Sequence, residues 1–579
     1  MRIFLCVCAI VLCNFAAWSQ YIKIVVDKES NLPLEGVEVQ LMDGSIVAKS
    51  DTLGQIYFPD TLSSMVMLEK MGYKSLYYDL SHNHGPYILL ARHSQVLDEV
   101  AIVWQSAYLG LPTFANIDAR SVEQLNAIPH SNLMQSLAEI PGVYTSNTGP
   151  GITKPVIRGL QGNRILTLFN GYKLEGQQWG GDHGLGMTEL GVKTVGVVKG
   201  PSALLYGADA LGGVLIIQDD FNRSSTGLHV DAFSQFETNT MGTTTAAQVQ
   251  QRVGKWGWQA GGRFTSHADY KIQKSEYVNN SRFLEYNGKV GFGYFGDKLS
   301  SKVQVLLTNN QIGLPGHTHD QNPDVSSFIT STQKRSKMLP VQYNKQLYAL
   351  WNTSWTLKSK DEVTLTTGFT QQNLSEHDHK HTIPSLGMTT RNVPVQFMYH
   401  HHQKRALWTF GVQGLWNQIR NNVEAEETLI PNSNQLDGGL VAKVQFDRIK
   451  WKTEVGVRGD IRQLNATDFA KTYVGGNLGW NNTIQLAKKK SLKVGLNSGF
   501  RIPHLSELLA HGAHHGTFRY EIGNRDLKPE KAVQVDVSYD RLGDHFSFIL
   551  NPYVGLLNDF IYVLPTGNFV GGMPEFIYT

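Results

Sequence analysis

From about residue 225 onward, hydrophobic and polar residues alternate along many segments of the chain. In residues 452–462 most even positions are polar and three odd positions are aliphatic, and residues 533–539 repeat this pattern. A period of two predicts β-strands with one apolar and one polar face. Such faces are typical of a transmembrane antiparallel β-barrel, whose outside meets lipid and whose inside is wet. A soluble β-sandwich with similar alternation is the alternative.

The length and the ends of the alternating segments favour the barrel. Many segments are long enough to cross a bilayer, for which about 9–11 residues are needed. Aromatic residues lie near the expected strand ends, namely Trp408, Trp416, Trp451 and Tyr539. We expect roughly 15 or 16 strands in this region, which is within the range of outer-membrane barrels.

The connections between the segments alternate between short and long. The long connections lie near residues 268–285, 312–344, 375–390, 421–435, 465–471 and 501–530. Outer-membrane barrels have short periplasmic turns and long extracellular loops. We therefore assign the long connections to the outside of the cell.

The composition agrees with a β protein and argues against some functions. The chain has 579 residues, of which 56 are glycine, 41% are hydrophobic, 10% are aromatic and 17% are charged. The 52 basic residues nearly balance the 49 acidic ones, which argues against nucleic acid as a partner. The apolar content is ample for a core, so disorder is not expected.

The N-terminus has the pattern of an export signal. A basic start precedes an apolar run over residues 3–13, and Ala17-Trp18-Ser19 resembles a cleavage site. We expect residues 1–19 to be a signal peptide that is cleaved before Gln20. The apolar run is too short for a transmembrane helix, which needs about 20 residues.

All three cysteines lie in this signal, at Cys6, Cys8 and Cys13. A lipoprotein signal at Cys13 is disfavoured, because the bulky Leu12 precedes it where a small residue is expected. Cleavage would remove every thiol, so that histidine and carboxylate remain as the available metal ligands.

Residues 20–92 have the pattern of a small β-sandwich. Residues 21–26 and 36–41 each predict a strand, and residues 51–58 predict a turn followed by a strand. This stretch resembles the carboxypeptidase-regulatory-like domain, a transthyretin-type sandwich that is common at the front of exported Bacteroidetes proteins. It contains no recognisable catalytic constellation.

Residues 111–222 mix helix and strand signals. Ser131 can cap a helix that Pro141-Gly142 ends. Three motifs follow, namely Ile157-Arg158-Gly159, the turn Asn170-Gly171 and the run KGPSALLYGADALGGV over residues 199–214. Together they resemble the plug domain of TonB-dependent outer-membrane receptors. The resemblance implies a mainly β protein with an α/β plug, in which Arg158 and Gly159 are plug residues, followed by a large barrel over residues 223–579.

The resemblance also changes the interpretation of the linker at residues 93–110. On pattern alone the middle of this linker is an edge strand, formed by Leu97, Asp98, Glu99, Val100, Ala101, Ile102 and Val103. In this family such a segment is the TonB box, a periplasmic strand with which a partner pairs by β-addition. The implied partners are the TonB–ExbB–ExbD energy-coupling complex and outer-membrane lipid, and the implied location is the cell outer membrane. A surface lipoprotein partner is left open.

The expected strand count is smaller than in the family, whose barrels have about 22 strands. Residues 500–503 and 523–530 resemble family landmarks that precede several further strands. We therefore expect the barrel to be incomplete at its C-terminus, and a smaller complete barrel is the alternative.

Histidines are concentrated in three of the long connections. The clusters are His317 and His319; His377, His379 and His381; and His511, His514 and His515. Alternating histidines place imidazoles on one side of an extended segment, and imidazole with a nearby carboxylate suits Zn²⁺ and, less selectively, Ni²⁺ or Cu²⁺. The alternative is that they are ordinary polar surface residues.

The predicted plug contains a glycine-rich segment, Trp179-Gly180-Gly181-Asp182-His183-Gly184. It predicts an apical loop that faces the pore mouth, with Asp182 and His183 as ligands of an inner metal site. A simple turn without ligand is the alternative.

Family resemblance suggests two kinds of cargo. Residues 507–524 are similar to the corresponding segment of zinc-uptake receptors. The order of residues 500–503, a histidine and residues 523–527 also resembles haem receptors, but Ile502 and Arg525-Asp526 differ from the motifs of those receptors. We prefer a free metal ion, with zinc first, and keep haem or a siderophore or other metal chelate as the alternative. Glycan import is disfavoured, because glycan receptors are much longer.

The function expected from the sequence is therefore TonB-dependent active transport of a metal ion. The sequence has neither an H-E-x-x-H nor a G-x-S-x-G motif, and we expect no enzymatic activity and no catalytic cofactor. It has no P-loop either, which agrees with energy supplied from the inner membrane. A passive adhesive barrel would leave the plug and the TonB box without a purpose.

Overall fold

The computed structural model describes most of the chain and divides it into two compact units, residues 1–104 and 105–579. The described residues are 20–28, 32–41, 46–59, 65–70, 73, 76–80, 86–91, 117–125, 130–175, 180, 183, 187–200, 206–219, 221, 227–315, 324–336, 338–357, 361–448, 450–487, 489–514, 517–541, 543 and 546–579. The expected signal peptide and TonB box lie outside these residues.

The first unit contains the expected β-sandwich. Its strands are β1 (Gln20–Asp27), β2 (Glu38–Gln40), β3 (Ile46–Lys49), β4 (Gln55–Pro59), β5 (Met65–Glu69), β6 (Leu76–Asp79) and β7 (Tyr87–Leu90). They form two sheets, in the orders β4-β1-β7 and β3-β2-β5-β6. Alternation in the strands buries Phe58 and Ile88 from one sheet against Val39 and Leu68 from the other, which closes a common core.

The second unit begins with the plug. Its elements are β8 (Ile117–Ser121), α1 (Val122–Leu125), α2 (Leu133–Ser136), β9 (Val143–Asn147), β10 (Thr153–Ile157), β11 (Ile165–Phe169), β12 (Tyr172–Lys173), β13 (Val192–Lys199) and β14 (Gly213–Asp219). Five of the strands form one sheet in the order β12-β11-β14-β13-β8. Every residue of β11 and β14 is buried, because their alternating side chains enter two different hydrophobic clusters, one of which includes Leu306 and Leu350 of the large sheet.

The cap of helix α2 differs from the sequence expectation. The Oδ1 atom of Asn132, not the hydroxyl of Ser131, accepts a hydrogen bond from the backbone N–H of Gln135 at 3.0 Å. The hydroxyl of Ser131 instead donates to Glu237 Oε2 at 2.7 Å. The capping residue is thus one position later, because Ser131 contacts the large sheet that surrounds the plug.

A large antiparallel sheet follows the plug, with two small sheets in its connections. The strands after the plug are β15 (Gly227–Glu237), β16 (Gly242–Val253), β17 (Trp256–His267), β18 (Lys271–Gln273), β19 (Glu276–Val278), β20 (Phe283–Phe295), β21 (Leu299–Gly313), β22 (Ile329–Thr330), β23 (Val341–Thr356), β24 (Glu362–His377), β25 (Leu386–Gln403), β26 (Ala406–Asn421), β27 (Ser433–Arg448), β28 (Trp451–Ala466), β29 (Phe469–Ala487), β30 (Lys490–Arg501), β31 (His511–His514), β32 (Arg519–Ile522), β33 (Glu530–Arg541), β34 (Phe548–Leu550), β35 (Tyr553–Asn558), β36 (Val563–Val570) and β37 (Met573–Tyr578). The large sheet has 16 strands among the described residues, which confirms the expected count.

The path of the large sheet follows the chain. Its order is β15-β16-β17-β20-β21-β23-β24-β25-β26-β27-β28-β29-β30-β33-β34, and β35 also pairs with β33. The strands omitted from this path form small sheets, β18-β19-β22 and β31-β32-β37-β36, within or after the long connections. The second of these small sheets carries part of the site described below.

Strand β28 shows the side-chain alternation that the sequence predicts. Val457 and Ile461 point outward and are each 50% exposed, whereas Arg458 and Arg462 point inward and are buried. The inner face therefore needs partners for its charges, since buried charges are tolerated only when they are paired. The large sheet and the plug both supply them. Arg458 Nη2 lies 2.6 Å from Asp460 Oδ1 in β28, and Arg462 Nη2 lies 2.7 Å from both Asp437 Oδ2 of β27 and Asp209 Oδ2 of the plug.

A short helix, α3 (Leu505–Leu509), lies in the connection after β30. His504 caps it: its Nδ1 accepts a hydrogen bond from Ser506 N–H at 3.1 Å, and Glu507 Oε2 accepts one from His504 N–H at 2.8 Å. Burial lowers the pKa of His504 to about 4, so the cap is a neutral imidazole. Among the described residues, no helix is both long and apolar enough to span a membrane.

Buried ion pairs around Arg501 connect the plug, helix α3 and the large sheet. The Nε of Arg501 lies 2.6 Å from Glu530 Oε2, and its Nη1 lies 2.7 Å from Glu507 Oε2. Arg164 of the plug contacts the other oxygen of Glu530 at 2.6 Å. Arg501 is fully buried, and its ion pairs among the described residues are with these two carboxylates.

We predict that Arg501→Met lowers the free energy of unfolding by about 3–5 kcal/mol, because the buried Glu507 loses its cationic partner and Glu530 keeps only Arg164. Denaturant unfolding of the detergent-solubilised full chain, followed by circular dichroism, measures the loss. Arg525→Met is the matched control, since Arg525 pairs with Asp468 at an exposed position. Equal losses in both variants would contradict the prediction.

Candidate metal site

The structure describes part of the residue set that the sequence selects. Arg158, Gly159, His183, His377, His379, His381, His511 and His514 are described. Asp182, His317, His319 and His515 lie outside the described residues, as does the segment of residues 97–103.

The Ile-Arg-Gly motif forms a turn that joins the plug to the large sheet. Arg158 and Gly159 both have positive φ angles, of 50° and 83°. This turn directs the guanidinium of Arg158 to Asp536 Oδ1 at 2.7 Å and to Asn551 Oδ1 at 2.6 Å. The guanidinium also lies over the ring of Tyr553, 4.0 Å from its centroid. The motif thus connects the plug to strands β33 and β35 and to the residues between them.

His183 lies in the plug between β12 and β13, and its side chain is fully buried. Its backbone N–H is near the carbonyl of Gly180, which also accepts a hydrogen bond from the ammonium of Lys154. A Cβ atom at position 180 would lie 2.3 Å from His183 Nδ1. Glycine at this position therefore lets the imidazole pack directly on the backbone.

Glu376 meets His183 from the large sheet. It is the penultimate residue of β24 and is fully buried. Its Oε1 lies 2.9 Å from His183 Nε2 and accepts a hydrogen bond from Gln342 Nε2 at 3.1 Å. Its Oε2 has no hydrogen-bond partner among the described residues. A buried carboxylate oxygen without a donor is costly unless another group binds there.

His514, the last residue of β31, completes the cluster. It is 2% exposed, and its ring centroid lies 5.3 Å from that of His183. Its Nδ1 lies 3.0 Å from Glu521 Oε1, and Glu521 Oε2 accepts a hydrogen bond from the hydroxyl of Tyr578 at 2.9 Å. Burial raises the pKa of Glu521, but His514 and these hydrogen bonds outweigh it, so the pKa lies below its usual value.

The three buried side chains converge on one point. One potential ligand atom from each of His183, Glu376 and His514 lies within 4.8 Å of the other two. Two imidazole nitrogens and one carboxylate oxygen are the ligands found in three-residue zinc sites with an open fourth position. The cluster joins the plug, a strand of the large sheet and a long connection, and these residues are far apart in sequence.

The other described histidines do not join this cluster. Both ring nitrogens of His377 lie within hydrogen-bonding distance of other groups, Nδ1 at 3.1 Å from Lys380 O and Nε2 at 3.2 Å from Ser375 Oγ. His379 and His381 are exposed, and so is His511, whose ring packs edge-on against Tyr520. Strand β24 ends at His377, so the three histidines after Glu376 do not share one face of an extended strand.

Sequence reasoning missed the carboxylate of this cluster. Glu376 directly precedes the histidine cluster at residues 377–381, but only the imidazoles were selected as ligands. The pairing of Glu376 with His183 spans 193 positions, which no local pattern can reveal. The signal that points to Glu376 is its position at the buried end of a strand whose polar side chains face inward.

Two family models match the chain. The TonB-dependent receptor plug domain matches residues 113–214, and the TonB-dependent receptor-like β-barrel matches residues 274–579. The second match covers more than half of the chain. The chain therefore belongs to the family of TonB-dependent receptors, and the large sheet is its barrel domain.

Curated relatives and solved structures are similar to the chain at low identity. The vitamin B12 transporter BtuB of Photobacterium profundum is 23% identical over 441 residues, which are 73% of this chain and 64% of that protein. The chain thus spans less than two thirds of the length of this relative.

Among solved structures, the copper transporter OprC has a TM-score of 0.64 at 15% identity, over 78% of this chain and 72% of that one. The Serratia marcescens hemophore receptor HasR, in complex with its hemophore HasA and heme, has a TM-score of 0.66 at 12% identity, over 82% and 78%. At these identities the solved structures show a common fold alone.

We predict that His183→Ala, Glu376→Ala and His514→Ala each weaken Zn²⁺ binding more than about 100-fold. Removal of a residue that hydrogen-bonds to a metal ligand lowers the metal affinity about 10- to 100-fold. Removal of the ligand itself should lower the affinity more. Isothermal titration of Zn²⁺ into the purified full-length protein measures the affinity.

The matched controls for this prediction are His379→Ala and His381→Ala, which change exposed histidines close to Glu376 in sequence. They should retain the affinity of the unchanged protein. Equal loss in the control variants would place the ligands in the exposed cluster and remove the buried site from consideration.

Proposed function

We propose that the protein is a TonB-dependent importer that carries a divalent metal ion, zinc first, across the outer membrane. The observation that supports this cargo is the convergence of His183, Glu376 and His514 at the boundary between plug and barrel. In this proposal residues 1–19 direct export and are cleaved, and the barrel domain lies in outer-membrane lipid.

The ligand types favour a borderline metal ion over the alternatives. Imidazole and carboxylate suit Zn²⁺ and other divalent transition metals, whereas Cu(I) prefers the sulfur of cysteine or methionine. All three cysteines of the chain lie within the proposed signal peptide. Three protein ligands leave a fourth position for water, which suits an ion that must be released again.

Haem is the alternative cargo, and the site geometry disfavours it. The porphyrin occupies four positions around the haem iron, so the protein can ligate it only along its axis. A haem iron can therefore accept at most two protein ligands, whereas three potential ligand atoms converge here within 4.8 Å of one another. The names of the similar proteins mention vitamin B12, copper and heme, so the fold does not select the cargo.

The position of the ligands suggests how transport is coupled to energy. His183 belongs to the plug, whereas Glu376 and His514 belong to the barrel domain, so a bound ion would bridge the two. In our proposal the TonB–ExbB–ExbD complex pairs with the TonB box at residues 97–103 and pulls on the plug. Displacement of the plug would withdraw one ligand of three and weaken binding on the inner side.

We predict that Val100→Pro abolishes uptake of radioactive zinc by cells that depend on this receptor and leaves Zn²⁺ binding intact. Proline removes a backbone donor that a paired strand needs. Uptake is measured in whole cells, and binding is measured on the purified protein. Ala107→Pro, outside the box, is the control and should retain uptake. Uptake that survives Val100→Pro would contradict the transport proposal.

A further inference from the structure

Three residues of the small sheet β31-β32-β37-β36 form a hydrogen-bonded chain that ends at the metal site. His514 is paired with Arg519, and Glu521, two residues further along β32, lies on the same face. Glu521 is paired with Phe576, and Tyr578 lies on the same face two residues later. Strand geometry therefore places His514, Glu521 and Tyr578 in one row.

The contacts along this row are short. Glu521 Oε1 lies 3.0 Å from His514 Nδ1, and Glu521 Oε2 accepts the hydrogen bond from the Tyr578 hydroxyl at 2.9 Å. Glu521 is 4% exposed, so water does not compete strongly for its oxygens. The backbone of the following residue, Thr579, exchanges two hydrogen bonds with Tyr562, at 3.0 and 3.1 Å, which holds the end of β37 in place.

The hydrogen bonds between His514, Glu521 and Tyr578 decide which nitrogen of His514 can bind a metal. A neutral imidazole has one N–H and one lone pair, and an ionised carboxylate can only accept hydrogen bonds. The proton of the ring must therefore lie on Nδ1, toward Glu521. The lone pair then lies on Nε2, on the opposite side of the ring, where it is available as a ligand.

We propose that Glu521 and Tyr578 are positioning residues of the metal site: Glu521 fixes the tautomer and orientation of His514, and Tyr578 fixes Glu521. This inference rests on the proposed function of the site. Gln342 has the corresponding place behind Glu376, since it donates to the carboxylate at 3.1 Å. A carboxylate behind a ligating histidine also raises the basicity of the ring, which strengthens metal binding.

The test uses the purified full-length protein, with Zn²⁺ affinity and the absorption spectrum of bound Co²⁺ as readouts. Glu521→Leu should weaken Zn²⁺ binding about 10- to 100-fold and change the Co²⁺ spectrum, because His514 loses its fixed orientation. Glu521→Gln keeps an acceptor for Nδ1–H without the charge. It should bind Zn²⁺ with intermediate affinity and restore the Co²⁺ spectrum. Tyr578→Phe should weaken binding less than Glu521→Leu.

Glu575→Leu is the matched control. Glu575 lies on the same strand β37, but its carboxylate accepts hydrogen bonds from Thr566 and Asn568 and does not contact His514. This variant should retain both the Zn²⁺ affinity and the Co²⁺ spectrum of the unchanged protein. Equal loss in Glu575→Leu would mean that the small sheet acts only through its stability, which would overturn the inference.

The outcomes separate this inference from the proposed function. If His514→Ala weakens binding but both Glu521 variants leave affinity and spectrum unchanged, the positioning role is wrong and the metal site stands. If His514→Ala leaves Zn²⁺ binding unchanged, the metal site itself is wrong and the inference falls with it. If Glu521→Leu does not fold, the Zn²⁺ affinities of Glu521→Gln and Tyr578→Phe decide: weakened binding supports the positioning role, and unchanged binding in both variants overturns it.

Discussion

The interior of the barrel domain imposes one requirement on the whole molecule: each charge that points inward must find a partner there. Alternation along the strands sends apolar side chains outward and leaves Arg462 and Lys289 buried on the inner face. Asp209 and Asp219 of the plug lie beside them, at 2.7 and 3.6 Å. The plug therefore adds carboxylate partners for inward-facing cations of the barrel domain: Asp219 for Lys289, and Asp209 for Arg462, which Asp437 of β27 also contacts at 2.7 Å. Such pairing stabilises the contact between plug and barrel domain, because an unpaired buried charge is very costly.

The candidate metal site follows from the same requirement. His183 and Glu376 partner each other across the boundary between plug and barrel domain, and His514 is partnered by Glu521. The buried groups are thus arranged before any ion binds, with little rearrangement left for the binding step. An ion that enters would exchange its water for groups already in place, and such preorganisation favours affinity.

The fold was largely predictable from the sequence, whereas the site was predictable only in part. A period of two is a local signal, so residues 452–462 predict an outward and an inward face without knowledge of their neighbours. His183 and His514 were found because glycine-rich and histidine-rich segments are unusual. Glu376 and Glu521 were not selected, because their role depends on contacts between segments that the linear order does not show. The histidines at residues 377–381 do not join the buried cluster, since proximity in sequence does not give a common face once a strand has ended.

The three candidate ligands come from positions 183, 376 and 514, and this spacing has a consequence for biogenesis. The unfolded polypeptide has the same side chains but no point at which they meet, so it offers the metal only scattered, weak contacts. The site comes into existence when plug, strand β24 and the β31 hairpin have assembled around one another. Metal affinity would then report on completed assembly. A polypeptide that has not yet folded would not bind scarce metal before it reaches the outer membrane.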